Sequence, residues 1–381
     1  MMVVRKKIGL VFIYSEQWIG GTYYIMNLIH ALNSLADERK PFLYIFSRPE
    51  DYQKLLKEVS YPYMQFVHME ENPDHPFLQW VNRAGVRFLS RKLFKKRFSG
   101  QIDAIFPFQR NHYIESIPME KRYYWIADFQ DRRLPQFFTE EDLQEKGLRH
   151  QWIADHAQHL VLSSEAVHRD WKTYYPSAGC NVHVIHFAVT HPEFRNVDFS
   201  DLSRRYALAT PYFFSPNQFW AHKNQLVVIK AAELLKAKGK QVRIYFSGKE
   251  NDNRNPGYVE GLKSYVKEKG LEEEIRFLGF LDRKDQLQIL NHSLAVIQPS
   301  LFEGWSTSVE DAMAIGKPVI ASSLDVNREQ LGEQGIYFSP TSPEELAARL
   351  ESILESTPEF TYSYDNKVKT FAEDFLSILE N

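Results

Sequence analysis

Two kinds of apolar stretch take turns along the chain. Short unbroken runs such as IGLVFIY, PFLYIFS, MQFVHM, DAIFPF, RYYWIA and HLVLSS read as buried strands. Longer stretches with apolar positions three or four apart, such as YYIMNLIHALNSL and the segment after Asp51, read as helices. From Pro211 onward the alternation is cleaner. Strands PYFFSP, QVRIYFSG, EIRFLGF, LAVIQPS, KPVIAS and GIYFS are separated by helices near Asn224 to Lys238, Tyr258 to Lys269 and Lys284 to Asn291, and further helices follow Ser308 and Pro343. Such alternation predicts parallel sheets with helical crossovers. Residues 190–206, THPEFRNVDFSDLSRRY, keep no period and read as a linker. The pattern therefore predicts an α/β chain of two doubly wound domains, 1–190 and 207–362, with ligands bound beyond the carboxyl ends of the strands.

Composition narrows this picture. The 381 residues exceed what one hydrophobic core usually organises, and 44% hydrophobic content supplies two. Forty-six basic against 49 acidic residues give no global attraction for nucleic acid. Cys180 is the single cysteine, so an intrachain disulfide and a cysteine-built metal site are excluded, and a cytoplasmic location is expected. The start MMVVRKKIGLVFIYSEQW imitates a signal peptide, but its apolar run is short and stops at Ser15 and Glu16, so it reads as the first strand. No run approaches the roughly 20 apolar residues needed to span a bilayer.

The densest chemistry lies in LFEGWSTSVEDAMAIGKPVIAS, residues 301–322. A strand delivers the chain to this loop, and a helix starts near Thr307 or Ser308. Unpaired N–H groups and the positive dipole end make such a start an anion site, to which Ser306, Thr307 and Ser308 add hydroxyls. With Thr307 as N-cap, Glu310 would complete a capping box. Asp311, about 100° further round the helix, would face the cleft and accept from vicinal hydroxyls, while Glu303 would reach another part of the same ligand.

This stretch resembles the signature of retaining GT-B glycosyltransferases, especially glycosyltransferase family 4: E-G-[FW], a second acid, then A-M-A-x-G-x-P-V. The resemblance implies two Rossmann-like domains facing a cleft, the C-terminal one holding a nucleotide sugar and the N-terminal one the acceptor. It implies that Glu303 contacts donor-sugar hydroxyls and that the second acid contacts the ribose; the aligned position is Asp311, with Glu310 just before it, and the choice stays open. SPNQFWAHKNQLVVIKAAELL, residues 215–235, resembles the segment carrying a basic pair for the donor diphosphate. Lys223 fits the lysine, whereas Gln218, beside Asn217, stands where the arginine is expected. FLGFLDRKDQLQIL resembles the F-x-G stretch, which would set Gly279 and Phe280 against the base. SEQWIGGTYYIMNLIHAL lacks the dinucleotide fingerprint and resembles the family's glycine loop, which puts Gly21 near the diphosphate. YYWIADFQDRRLPQFF is similar to the stretch near acceptor and donor sugar; Ala127 stands where a histidine or proline is usual, and Asp128 remains as candidate at the reaction centre.

The implied activity is transfer of a sugar with retained configuration to a hydroxyl of a saccharide or lipid-linked acceptor, in bacterial surface polysaccharide or lipopolysaccharide synthesis. Glu303, Lys223 and Asp128 are the expected catalytic residues, with no cofactor beyond the nucleotide-sugar cosubstrate and no essential metal, Asp128 and Asp131 being spaced D-x-x-D. The last segment, NKVKTFAEDFLSILEN, resembles the helix, about 364–381, that crosses back to the first domain. Ser164 is expected to cap the helix starting at Glu165. Rival readings are a glycoside hydrolase, a GT-B-type nucleotide-sugar epimerase and a nonenzymatic nucleotide or sugar-binding module. Finally, residues 77–100 hold seven basic residues and no acid. Helical spacing groups Leu78, Val81, Gly85, Phe88 and Leu89 on one side and sets Arg83, Arg87, Arg91 and Lys95 largely elsewhere, which is either a solvated face or a surface for an anionic membrane.

Overall fold

Among the described residues every strand pairing is parallel, so each strand is followed by a connection that returns the chain across a face of its sheet. The computed structural model describes residues 4–16, 19–70, 75–89, 92–356, 358 and 360–380. The N-terminal half runs β1 (Lys7–Val11), α1 (Ile19–Asn33), β2 (Phe42–Ser47), α2 (Pro49–Glu58), β3 (Met64–His68), α3 (Pro76–Leu89), β4 (Ala104–Phe106), β5 (Tyr123–Ile126), α4 (Gln130–Arg133), α5 (Glu140–His156), β6 (His159–Leu162), α6 (Glu165–Tyr174) and β7 (Asn181–Val184). Its strands form sheets ordered β3-β2-β1-β4 and β5-β6-β7, joined by one parallel bridge from Ile105 to Arg122.

The C-terminal half runs α7 (Phe199–Arg205), β8 (Phe213–Pro216), α8 (Gln225–Ala237), β9 (Ile244–Ser247), α9 (Tyr258–Glu268), β10 (Ile275–Phe277), α10 (Arg283–Asn291), β11 (Val296–Gln298), α11 (Thr307–Ile315), β12 (Val319–Ser322), α12 (Asp325–Leu331), β13 (Ile336–Phe338), α13 (Pro343–Glu355) and α14 (Asp365–Ser377). The sheet order is β10-β9-β8-β11-β12-β13. The order reverses between β8 and β11, so the loops after these two strands open onto one crevice. Lys223 follows β8 and Glu303 follows β11.

The expected linker is partly helical. Asp198 caps α7 through Ser200 N–H, Leu202 is fully buried, and Arg205 pairs with Asp285 of α10 at 2.8 Å. Two further elements go beyond the sequence reading: β7, a half-exposed edge strand, and α12. Ser164 caps α6 as expected, accepting from Val167 N–H at 3.1 Å. The basic segment departs from expectation. Helix α3 ends at Leu89, so Lys95 lies beyond it, Arg91 lies outside the described residues, and Phe88 is exposed along with Phe77 and Trp80.

Helix α14 packs against the first half. Phe371 packs edge-on against Tyr24 and Phe375 against Phe106, while Tyr123 donates to Ile378 O at 2.9 Å. Tyr364, just before α14, ties three parts of the chain together: its buried hydroxyl receives Val189 N–H at 2.8 Å and donates to Glu310 of α11 at 2.5 Å. Tyr364→Phe deprives both the N–H and the carboxylate of a partner. It is expected to lower stability by about 2 kcal/mol, read from the urea midpoint at unchanged m-value.

Candidate active site

The site is built where loops from the two halves meet. After β8, a short turn at Ala221–Lys223 leads into α8; after β11, the chain reaches Phe302 to Trp305 and enters α11. These loops face Ala127, Asp128 and Gln130 after β5, Ser163 after β6 and Gly20 at the start of α1 across a cavity of about 190 Å³. Ligand sites usually measure roughly 300–1,000 Å³, so the halves are drawn close here. Gly304 makes that approach feasible: a Cβ at this position would lie 2.2 Å from Ala127 O and 2.8 Å from the Asp128 Cβ. Gly248, just after β9, allows a close approach within the C-terminal half: a Cβ there would lie 2.3 Å from the Asn217 carbonyl oxygen.

Lys223 and Glu303 meet directly in the wall of this cavity. The ammonium donates to the Glu303 carboxylate at 2.6 Å, and Gln298 Nε2 donates to the same oxygen at 2.7 Å. Helix α11 begins at Thr307, within the expected range, but its N-cap is Ser306 instead of Thr307, accepting from Val309 N–H. Ser306, Thr307 and Ser308 all line the cavity, and among the described residues nothing accepts from the backbone N–H of Thr307 or Ser308. The Ser308 hydroxyl donates to Pro216 O. Asp128 lines the cavity with one oxygen accepting from Gln130 N–H at 3.0 Å. Asn217 and Gln218 line it as well. The arrangement offers one ammonium, helix-start N–H groups without an acceptor among the described residues, and hydroxyls to an anion, and two carboxylates, from opposite halves, to hydroxyl groups.

Residues 203–371 match glycosyl transferases group 1. The chain carries a glycosyl transferases group 1 domain. Over 163 residues it is 23% identical to the O-antigen chain mannosyltransferase RfbU of Salmonella typhimurium, a match covering 43% of this chain and 44% of that protein; the shared segment is thus under half of the relative's length. Its fold is that of the GT-B glycosyltransferases. The crystal structure of a glycosyltransferase from Rickettsia africae superposes with a TM-score of 0.63 at 15% identity, over 99% of this chain and 94% of that one. Anabaena HepE, solved in complex with UDP and glucose, superposes with a TM-score of 0.60 at 18% identity, over 99% and 95%.

The group 1 domain contains Lys223, Glu303 and the α11 start, whereas Gly20 and Asp128 reach the cavity from outside it. Other expected residues lie elsewhere. Gly21 is buried within α1 and does not line the cavity; Gly20 does. Gly279 and Phe280 border neither this cavity nor the adjoining one, and Phe280 is 69% exposed. Glu310 forms no capping box, because with Ser306 as N-cap it falls one position too late. It is fully buried, accepting from Trp305 Nε1, Gln330 and Tyr364, and burial raises its carboxyl despite Lys367 nearby.

Asp311, expected to face the cleft, instead points at the linker and α10. Arg283 grips both its oxygens, at 2.7 and 2.5 Å, and His191 bonds to one of them at 2.9 Å. Burial alone would raise this carboxyl, but Arg283 and His191 hold it at about 2. Arg283 also lies 5.2 Å over the Tyr23 ring of α1, so the network spans both halves. Arg283, His191 and Gly304 escaped the sequence reading; only Gly304, inside the motif, carried a signal. Because the Asp311 carboxyl sits below its ordinary 3.8, its stabilisation is complete above about pH 4 and is lost as pH falls toward 2. Asp311→Asn is expected to cost about 2 kcal/mol at pH 7 and to converge with the parent across that acid window, as measured by urea unfolding from pH 2 to 7.

Proposed function

We propose that the protein is a retaining glycosyltransferase that moves a sugar from a nucleotide-sugar donor to a hydroxyl of a saccharide or lipid-linked saccharide, in the assembly of a bacterial surface polysaccharide. One observation carries this reading: Lys223, Glu303 and the start of α11 converge on the cavity wall opposite Asp128. The likeness to an O-antigen mannosyltransferase favours a surface-polysaccharide product. The fold shared with a protein solved with UDP and glucose is consistent with a nucleoside diphosphate beside a sugar.

In this reading the donor diphosphate lies across the Thr307 and Ser308 N–H groups and Lys223, which stabilise the charge that builds as the phosphate departs. Glu303 takes hydroxyls of the donor sugar. Asp128, from the other half, orients the acceptor hydroxyl. The attack comes on the face the leaving group vacates, where the departing phosphate helps take the proton, and the close fit of Gly304 on Ala127 keeps water from competing. Catalysis is assigned to these protein groups, with the nucleotide sugar as cosubstrate and no metal.

Helix α3 is the proposed contact with the membrane that carries a lipid-linked acceptor. Its outward face shows Phe77, Trp80 and Phe88 at 60, 62 and 76% exposure beside Arg83 and Arg87, and it is followed by a further basic stretch without acids. Aromatic rings at headgroup depth with cations around them fit an anionic leaflet. Sedimentation with phosphatidylglycerol vesicles is expected, with little binding to phosphatidylcholine, and Trp80→Glu with Phe88→Glu should abolish it.

The donor site is tested by a thermal-shift screen over nucleoside diphosphates. Saturation with one base at about 100 Kd is expected to add about 2.7 kcal/mol of stability. Lys223→Ala should cut turnover by about 100-fold and weaken the diphosphate; unchanged donor affinity and turnover in that variant would defeat the assignment.

A further inference from the structure

Next to the donor cavity, and sharing Ala127, Asp128, Gln130, Gln218 and Trp220 with it, lies a second cavity of about 450 Å³. That volume falls within the rough range of 300–1,000 Å³ for small-molecule sites. Charged residues line it, and its acids and bases are employed differently. Asp252 turns its carboxylate onto the N–H groups of Ala221, Arg254 and Asn255, and Asp142 caps α5 with Thr139. Asp128 accepts from Gln130 N–H, and Glu16 faces Lys249 at 3.4 Å. The acids are thus occupied by their own loops or by one lysine.

Lys146 and Arg149 of α5 form no ion pair within 4 Å among the described residues, and Arg254 only reaches that limit, with Asp252 at 4.0 Å. Lys146 and Arg254 come from opposite halves yet lie over the same ring, 5.5 and 4.6 Å from the centroid of Phe138. Closing the halves therefore brings like charges together, a repulsion that an anion between them would relieve. Two buried side chains on the same wall have unused nitrogens: Gln130 Nε2 and His150 Nδ1 find no partner among the described residues. Burial first, then Arg149, Lys146 and Arg132, depress His150 to about 3, so the imidazole is neutral in a positive field.

We propose that this cavity is the acceptor site and that its acceptor is an anionic saccharide, whose phosphate or carboxylate is gripped by Lys146, Arg149 and Arg254 while Gln130 reaches a neighbouring hydroxyl. The proposal rests on the transferase reading and names the acceptor class for it. The shared wall at Asp128 and Gln130 places the acceptor ring beside the donor sugar. Trp220 and Phe138 supply apolar faces at the junction.

The test uses the full chain, with the donor cavity first filled by the nucleoside diphosphate that stabilises it best. Calorimetric titrations follow with glucose 6-phosphate, glucuronate and methyl glucoside. At least one of the two anionic probes is expected to bind about tenfold more tightly than the neutral glucoside; which one does so separates phosphate from carboxylate. The preference should vanish in Lys146→Ala/Arg149→Ala, checked for an unchanged melting temperature, and in Arg254→Gln as a separate single variant. It should persist in Lys223→Ala once the nucleoside diphosphate is raised to saturate that weaker-binding variant. Equal binding of all three probes, no binding by either anion, or a preference lost only with Lys223→Ala would overturn the proposal. Failure of every nucleoside diphosphate to bind would instead strike the transferase reading, and the sugar titrations read the second cavity independently of it.

Discussion

Glu310 and Asp311 are adjacent in sequence, both are buried, and they leave α11 in different directions. Burying two neighbouring carboxylates is expensive unless each is fully partnered, and here each is. Glu310 is held by Tyr364 from the returning segment, by Gln330 of α12 and by Trp305. Asp311 is held by Arg283 of α10 and His191 of the linker. The two sets of partners fix α11 against both connections between the halves. Everything the candidate site asks of the α11 start, N–H groups aimed at one place and hydroxyls beside them, depends on that anchoring.

The other interdomain contacts extend the same arrangement. Glu329 of α12 accepts from the first N–H groups of α6, Glu165 and Ala166, at 2.7 and 2.9 Å, and pairs with His186 at 2.7 Å. A carboxylate at a helix start is well placed against the dipole. His186 in turn stacks on Trp305, with ring centroids 4.4 Å apart, and Trp305 donates to Phe187 O as well as to Glu310. The closed cleft is thus held by polar groups that close only when the halves meet, so opening it would expose a helix end and the half-buried Glu329 carboxylate together.

How much of this was legible in the sequence follows from where the information lies. Strands buried on both faces are continuous apolar runs, so β1, β2, β8, β9, β11 and β12 announced themselves. Strand β7, NVHV at a half-exposed edge, has no such run, and α12 is too short for a helical period to stand out. The motif spacing picked out Lys223, Glu303, Ser306 to Ser308 and Asp128, all of which line one cavity. It misplaced the second acid, because the partners that decide its direction are distant: Arg283 is 28 residues from Asp311, His191 is 120, and Tyr364 is 54 from Glu310. Local periodicity says which face of a helix is apolar; it carries nothing about which basic or phenolic group another element will bring to a buried acid.

The acids of this one motif can be separated by what each would lose in releasing its partners. Glu310 and Asp311 are buried and line no part of this cavity, so release of their partners would leave an unpaired buried charge, at a cost of several kcal/mol. Glu303 differs. Its ion pair with Lys223 lies in the cavity wall, and the Gln298 amide donates to the same carboxylate from behind. In the proposed reading a diphosphate, bearing more negative charge than one carboxylate, would compete for the ammonium on better terms, and Glu303 would keep a hydrogen bond while turning to hydroxyl groups. On that reading the pair would hold Lys223 and Glu303 in place at little cost to ligand entry, which is what an exchangeable pair in a binding cleft requires and a structural pair does not.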